Sequence, residues 1–188
     1  MNKQELRDKY KEIRKRNQPS ENIFQTIIQL PEYQEAKNIA IYYSTEYEVD
    51  TKELIEYSLK QKKNVYLPRV IDKHKMVFIR IYNLNPENYT ISKYGITEPI
   101  LDENNLLADT IDLTIVPGLC FDKKKYRVGY GGGFYDYFLS NHKTYKLGIC
   151  YDNQILEDFI NIDEYDIPMD IVITEKRKIK WFNWLKKT

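Results

Sequence analysis

The sequence predicts a single α/β domain, three layers deep, with a largely parallel central sheet flanked by helices. Two observations carry that prediction. Short runs rich in β-forming residues alternate along the chain with stretches of helical apolar spacing, the pattern of strands joined by helical crossovers. The 188 residues, 42% of them hydrophobic, suffice for one sizeable core, and no repeat, low-complexity stretch or linker divides residues 1–188.

The elements follow in order. Leu6, Tyr10 and Ile13 lie three and four residues apart and predict an amphipathic helix over 2–16, broken by Asn17-Gln18-Pro19-Ser20. Ser20 can cap a second helix through Ile23, Phe24, Ile27, Ile28 and Leu30. The run Asn38–Tyr43 predicts a strand, after which Asp50 can cap a helix carrying Leu54, Ile55, Tyr57, Ser58 and Leu59. Asn64–Leu67 is expected to be a strand ended by Pro68, and Met76–Tyr82 another. Residues 83–110 are expected to be irregular, punctuated by Pro86, Gly95 and Pro99. The strand Ile111–Val116 runs into Pro117-Gly118 and a long loop. A helix from about Gly132 to Asn141 and strands at Tyr145–Tyr151 and Asp170–Thr174 complete the pattern. In such sheets ligands collect beyond the carboxyl ends of the strands, so the loop after Val116 is the first place to look.

Charge narrows the function. With 29 Lys+Arg against 28 Asp+Glu the net charge is +1, which argues against a blanket nucleic-acid binder. The cations are nevertheless concentrated: residues 1–16, 123–127 and 176–187 together carry +14, leaving −13 for the remainder. Such runs are either solvated faces or parts of an anion site. Cys120 and Cys150 are too few for a disulfide framework and fit a reducing, cytoplasmic setting. The polar start lacks the apolar core of a secretory signal, and no run is long enough to span a membrane. Metal-binding Cys/His spacing is absent; His74 and His142 read as a solvated residue and a helix-end residue.

Four of the seven glycines fall within Gly129–Gly133, in the string Arg127-Val128-Gly129-Tyr130-Gly131-Gly132-Gly133-Phe134-Tyr135-Asp136. A glycine loop running into a helix start presents unpaired N–H groups and the positive end of a helix dipole, and Arg127 with Lys123–Lys125 adds charge suited to phosphate. The loop lacks the Gly-Lys-Ser/Thr of a Walker sequence and comes too late for a dinucleotide fingerprint. Tyr130, Phe134 and Tyr135 look buried. Asp136 can hold Mg²⁺ against phosphates or serve simply as a first-turn acid, and Asp166 is a second such acid or a turn residue before Pro168. Cys120 reads as a small packing residue.

This string, with Val116-Pro117-Gly118-Leu119-Cys120-Phe121-Asp122 before it, closely resembles the signature of the 5-formyltetrahydrofolate cyclo-ligase family. Further matches are Lys3-Gln4-Glu5-Leu6-Arg7, Ser44 to Glu48-Val49-Asp50-Thr51, Pro68-Arg69, Tyr94–Pro99 and Asp166-Ile167-Pro168-Met169-Asp170 through Thr174-Glu175, so the likeness covers nearly the whole chain. The resemblance implies a Rossmann-like fold of the cyclo-ligase type. It also implies ATP- and Mg²⁺-dependent conversion of 5-formyltetrahydrofolate to 5,10-methenyltetrahydrofolate, with release of ADP and phosphate. It assigns ATP contacts to Lys3, Gln4, Glu5, Leu6 and Arg7 and to the run from Arg127 through Val128, Gly129, Tyr130, Gly131, Gly132, Gly133 and Phe134 to Tyr135. Arg127 and Tyr135 are expected to be catalytic. Folate contacts fall to Arg7, Tyr43, Glu48, Tyr130, Gly131, Gly132, Gly133 and Phe134, and Mg²⁺ to Asp136 and Asp166. Small-molecule partners only, a monomer or weak dimer, and a cytoplasmic location follow as expectations. Three positions depart from the family pattern: Tyr165 stands where His is common, Tyr137 where a basic residue is frequent, and Cys120 where a small residue is usual. Two other readings compete: a sugar-phosphate-binding module, and an RNA binder built on the basic tail Lys176–Lys187 with Trp181, Phe182 and Trp184.

Overall fold

A computed structural model of the chain describes residues 1–107 and 110–180. Its elements are α1 (Lys3–Arg14), α2 (Glu21–Ile28), α3 (Pro31–Glu35), β1 (Asn38–Ala40), α4 (Lys52–Lys60), β2 (Asn64–Val70), β3 (Met76–Ile81), β4 (Tyr89–Ile91), β5 (Thr97–Pro99) and β6 (Leu113–Val116). There follow β7 (Cys120–Asp122), β8 (Arg127–Val128), α5 (Phe134–Asn141), β9 (Tyr145–Ile149), β10 (Ile155–Leu156), β11 (Ile171–Ile173) and β12 (Lys178–Ile179).

The main sheet has the order β12-β11-β9-β6-β1-β2-β3. Its inner neighbours pair in parallel, while the two edge strands, β3 and β12, run antiparallel to theirs. The largely parallel sheet read from the alternation is present. Chain order reverses at β1, which has β2 on one side and β6 on the other, so the carboxyl ends of β1 and β6 flank the switch-point crevice. On one face the core takes Ile23, Ile27, Tyr33, Leu54 and Ile55 from α2, α3 and α4; on the other it takes Phe138 and Leu139 from α5. Each such fully buried aliphatic side chain contributes roughly 1.5–3 kcal/mol.

A second, smaller sheet, β10-β7-β8, carries the glycine loop. It joins the main sheet through Phe121, whose ring is fully buried where a Cβ on Gly118 or Gly148 would come within 2.8 or 2.6 Å of it. Helix α1 lies on the small sheet, packing Leu6 and Tyr10 against Leu119, Cys120, Val128, Leu156 and Ile160. Its start is held by a reciprocal cap that the periodicity did not reveal: the Asn2 side chain accepts from the Glu5 amide, and the Glu5 carboxylate accepts from the Asn2 amide, both at 2.9 Å.

Several boundaries differ from expectation, each for a local reason. β2 continues through Pro68 to Val70. Pro68 lies past the last residue of β2 that pairs with β1, and the Val70 amide two residues on, which faces the same side, turns to Glu98 Oε1 at 3.1 Å, so no ladder bond to β3 is lost at the proline. β1 stops at Ala40, because the chain beyond Ile41 leaves the sheet to enter the loop of the site. Thr51, not Asp50, is the N-cap of α4; its hydroxyl is committed to the Tyr42 carbonyl at 2.7 Å, and Asp50 accepts from the Lys52 amide instead. Ser20 caps α2 as expected, accepting from the Asn22 amide. The stretch 83–110 contains a hairpin, β4–β5, turning at Gly95 with φ +72°. Part of the basic tail forms β12, whereas Trp181, Phe182 and Trp184 lie outside the described residues.

Both cysteines are buried, and burial raises the Cys120 thiol to about 12 and the Cys150 thiol well above its usual value. Neither is expected to react with a thiol reagent at pH 8 until the protein is unfolded. Rapid labelling of the native protein would contradict the packing described.

Candidate active site

Three segments meet at the switch-point crevice: α1, the loop from β1 to α4, and the glycine loop between β8 and α5. The β1–α4 loop is closed on itself by Ser44 and Thr51, each side chain bonded to the other's backbone amide at 3.1 Å. That closure presents Glu48, whose Oε2 accepts from the Thr45 amide and hydroxyl at 2.8 and 2.9 Å. The glycine loop turns on two residues with positive φ, Gly131 at +102° and Gly133 at +68°. Gly133 is the N-cap of α5 and makes no side-chain cap bond; the first bond to its carbonyl comes from Tyr137. The amides of Phe134, Tyr135 and Asp136 therefore have no partner within the helix.

Arg7 reaches across from α1, its Nε donating to the Gly129 carbonyl at 3.1 Å. Lys3 Nζ contacts Asp163 and Asp166, each at 2.6 Å. Burial works against the Lys3 ammonium, but the two carboxylates outweigh it and raise its pKa above the ordinary lysine value. Arg127, 6% exposed at its side chain, pairs with Asp136 at 2.9 Å, and the other Asp136 oxygen accepts from the Ile167 amide at 3.2 Å. The expected phosphate-binding cations Lys3 and Arg127 are thus paired with the expected metal acids Asp166 and Asp136. Among the described residues no group of three or more His, Cys, Asp or Glu forms a ready metal cage. The donor set suits Mg²⁺, which takes one or two carboxylates and completes its shell with phosphates and water.

Two buried polar atoms beside these pairs have no partner, Arg127 Nε and the Tyr135 hydroxyl. Burial, with Glu48 behind it, raises the Tyr135 phenol, so this hydroxyl stays protonated as a donor. An unsatisfied buried donor costs roughly 1–3 kcal/mol, and a ligand oxygen in the crevice would remove that cost.

On the other side of the crevice the Tyr130 hydroxyl donates to Glu48 Oε1 at 2.6 Å and accepts from Arg14 at 2.5 Å. The Arg14 guanidinium lies 5.3 Å from the Tyr130 ring and 5.9 Å from that of Tyr47. Arg14 Nε is a third buried atom without a partner. A charge-assisted bond contributes roughly 1.5–3 kcal/mol and an orphaned N–H costs roughly 1–3 kcal/mol, so the Arg14 contact is close to balanced. Tyr43 is half-buried, with its ring 6.2 Å from that of Tyr89 and Lys52 Nζ 5.5 Å above it.

Most of the residues singled out in the sequence converge here, with some differences. Tyr130 is 48% exposed rather than buried. Phe134 and Tyr135 are half-buried. Leu6 and Val128 are buried in the core beneath α1, so their side chains do not reach the crevice. The Glu5 carboxylate is occupied by its cap, and Gln4 bonds Asp8 and Arg7. Sequence reasoning missed Arg14, Thr45 and Asp163. Arg14 was accessible as the residue two helical turns after Arg7 on the same face. Thr45 and Asp163 carry no spacing signal.

A model of the 5-formyltetrahydrofolate cyclo-ligase family matches residues 1–175. The 5-formyltetrahydrofolate cyclo-ligase of Haemophilus influenzae is 35% identical over 184 residues, covering 91% of this chain and 97% of that one. A probable 5-formyltetrahydrofolate cyclo-ligase of Schizosaccharomyces pombe is 34% identical, with 85% of each chain covered. The solution structure of 5,10-methenyltetrahydrofolate synthetase from Aquifex aeolicus superimposes with a TM-score of 0.80 at 32% identity, covering 100% of this chain and 95% of that one.

Proposed function

Since the chain belongs to the 5-formyltetrahydrofolate cyclo-ligase family, we propose that its crevice joins ATP and Mg²⁺ to 5-formyltetrahydrofolate and closes the ring to 5,10-methenyltetrahydrofolate. The observation that carries this reading is the set of unspent groups around the glycine loop: the orphaned Arg127 Nε and Tyr135 hydroxyl beside the free amides that open α5. Unspent donors at the start of a helix are a setting suited to phosphate oxygens. The paired charges support it too. Exchanging Lys3–Asp166 and Arg127–Asp136 for cation–phosphate and carboxylate–metal contacts gives each of these four charges a new partner of opposite sign.

In this reading the formyl oxygen attacks the γ-phosphorus of ATP and ADP leaves, which turns a poor leaving group into a phosphate ester. N10 of the same folate then attacks the activated carbon, the carbon–oxygen bond breaks as the ring closes, and the phosphate departs with the proton that N10 gives up. Such a reaction needs positioning and charge neutralisation more than a protein nucleophile. Arg127 and the α5 amides neutralise phosphate charge, Tyr135 donates to an oxygen, and Lys3 and Arg7 hold the nucleotide from α1. Asp136 and Asp166 would hold Mg²⁺, which when bound supplies further neutralisation of the phosphates. Glu48 accepts from the donor-rich edge of the pterin, against which Tyr43 packs.

The test is to mix protein, ATP, Mg²⁺ and 5-formyltetrahydrofolate and follow methenyltetrahydrofolate absorbance. Absence of product at every Mg²⁺ concentration refutes the reading. Asp136→Asn is expected to shift the Mg²⁺ concentration for half-maximal rate upward by about tenfold or more, the usual scale for losing a metal contact. An unchanged Mg²⁺ titration removes Asp136 from the metal site.

A further inference from the structure

Glu48 has about four acceptor positions, and three are taken: two by Thr45 and one by the Tyr130 hydroxyl. Both positions on Oε2 are held by Thr45, so a ligand donor reaches Glu48 at Oε1, the oxygen that the Tyr130 hydroxyl already occupies. Tyr130 sits on the glycine loop, Glu48 on the β1–α4 loop, and Arg14 at the end of α1, so the chain Arg14–Tyr130–Glu48 ties three separate segments across the crevice. Arg14 polarises the Tyr130 hydroxyl and strengthens its donation to Glu48. The tie is poised to open. Arg14 leaves Nε unpaired, Tyr130 is 48% exposed, and the loop that carries it turns on glycines.

We propose that Arg14 and Tyr130 form a latch that competes with folate for Glu48, Arg14 acting as a positioning residue that holds Tyr130 in the closed arrangement. This role rests on the folate-binding reading given above. Folate binds only the open fraction, so its apparent affinity is reduced in proportion to how well the latch closes. Tyr130→Phe keeps the ring and removes the competing hydroxyl. Arg14→Met releases Tyr130 from the other end, and Arg14→Lys restores one donor.

The experiment is calorimetric titration of the full-length protein with 5-formyltetrahydrofolate in the absence of ATP. Amide hydrogen exchange across Gly129–Gly133 and steady-state kinetics are measured alongside. Tyr130→Phe and Arg14→Met are expected to bind folate about 3- to 10-fold more tightly, and Arg14→Lys to fall between them and the wild type. Loop amides of free Arg14→Met exchange faster than wild type, and the difference closes when folate is bound. In kinetics Arg14→Met lowers the folate KM without a matching loss in kcat, whereas a purely structural role would worsen both together. Equal or weaker folate binding by both variants, or unchanged loop exchange, overturns the latch alone. If the wild type binds no folate, the functional reading fails and the latch with it.

Discussion

Replacing Arg127 by alanine is expected to lower turnover about 10²- to 10³-fold at saturating ATP, the scale on which removal of one preorganised donor acts on a charged transition state. Three features set the size. The side chain is 6% exposed, so its charge acts where water screens little. Its Nε is buried and has no hydrogen-bond partner of its own. A Cβ on Gly129 would stand 2.5 Å from its Nη1, so the glycine lets the loop pass close beside this guanidinium. Losing Arg127 also strips Asp136 of its partner, so some fall in melting temperature accompanies the kinetic loss. Arg127→Lys separates the two effects: it keeps a charge near Asp136 but not the planar fork, and should recover stability more fully than turnover. Full turnover of Arg127→Ala at limiting ATP would remove this residue from the phosphate site.

The largest loss of stability is expected at Phe121. Its ring is fully buried between the small and main sheets and occupies the space that Gly118 and Gly148 leave. Phe121→Ala empties that space, and neighbours without side chains cannot collapse into it, so the cost should reach roughly 3–5 kcal/mol. Denaturant unfolding with an unchanged m-value is the measurement. A cost below about 1 kcal/mol would mean that the sheets are joined elsewhere. Because β7 leads through β8 to the glycine loop, residual folded protein should also lose activity beyond its unfolded fraction.

How much of this was legible varies with the range of the interaction. The parallel sheet was readable because parallel neighbours need crossovers, and helical runs such as Leu54 to Leu59 and Phe134 to Asn141 stand between strand-like ones. Pro68 misled because a proline ends a strand only where its missing N–H is needed, and which side that is depends on a partner strand distant in sequence. The β4–β5 hairpin escaped because three residues per strand are too few to display a period of two. The glycine loop is local and announced itself. The pairing of Lys3 with Asp166, 163 residues apart, and the tie from Arg14 through Tyr130 to Glu48 exist only once the chain has folded. The seven-residue spacing of Arg7 and Arg14 places them on a shared helix face, a signal that was overlooked and that does not tell what the face meets.

The antiparallel edge strands have a consequence for the behaviour of many molecules together. An open strand edge invites a second chain to extend the sheet, the first step toward fibres and precipitates. At one end of the main sheet Ile79 bridges Leu106, and the Leu107 amide donates to the Phe78 carbonyl, so that margin is partly covered. At the other end β12 is two residues long, Lys178 and Ile179, between Arg177 and Lys180, and its charges repel a like edge brought alongside. Growth by strand addition is thus blocked by cover at one margin and by charge at the other, and the charged margin should weaken first as salt is raised.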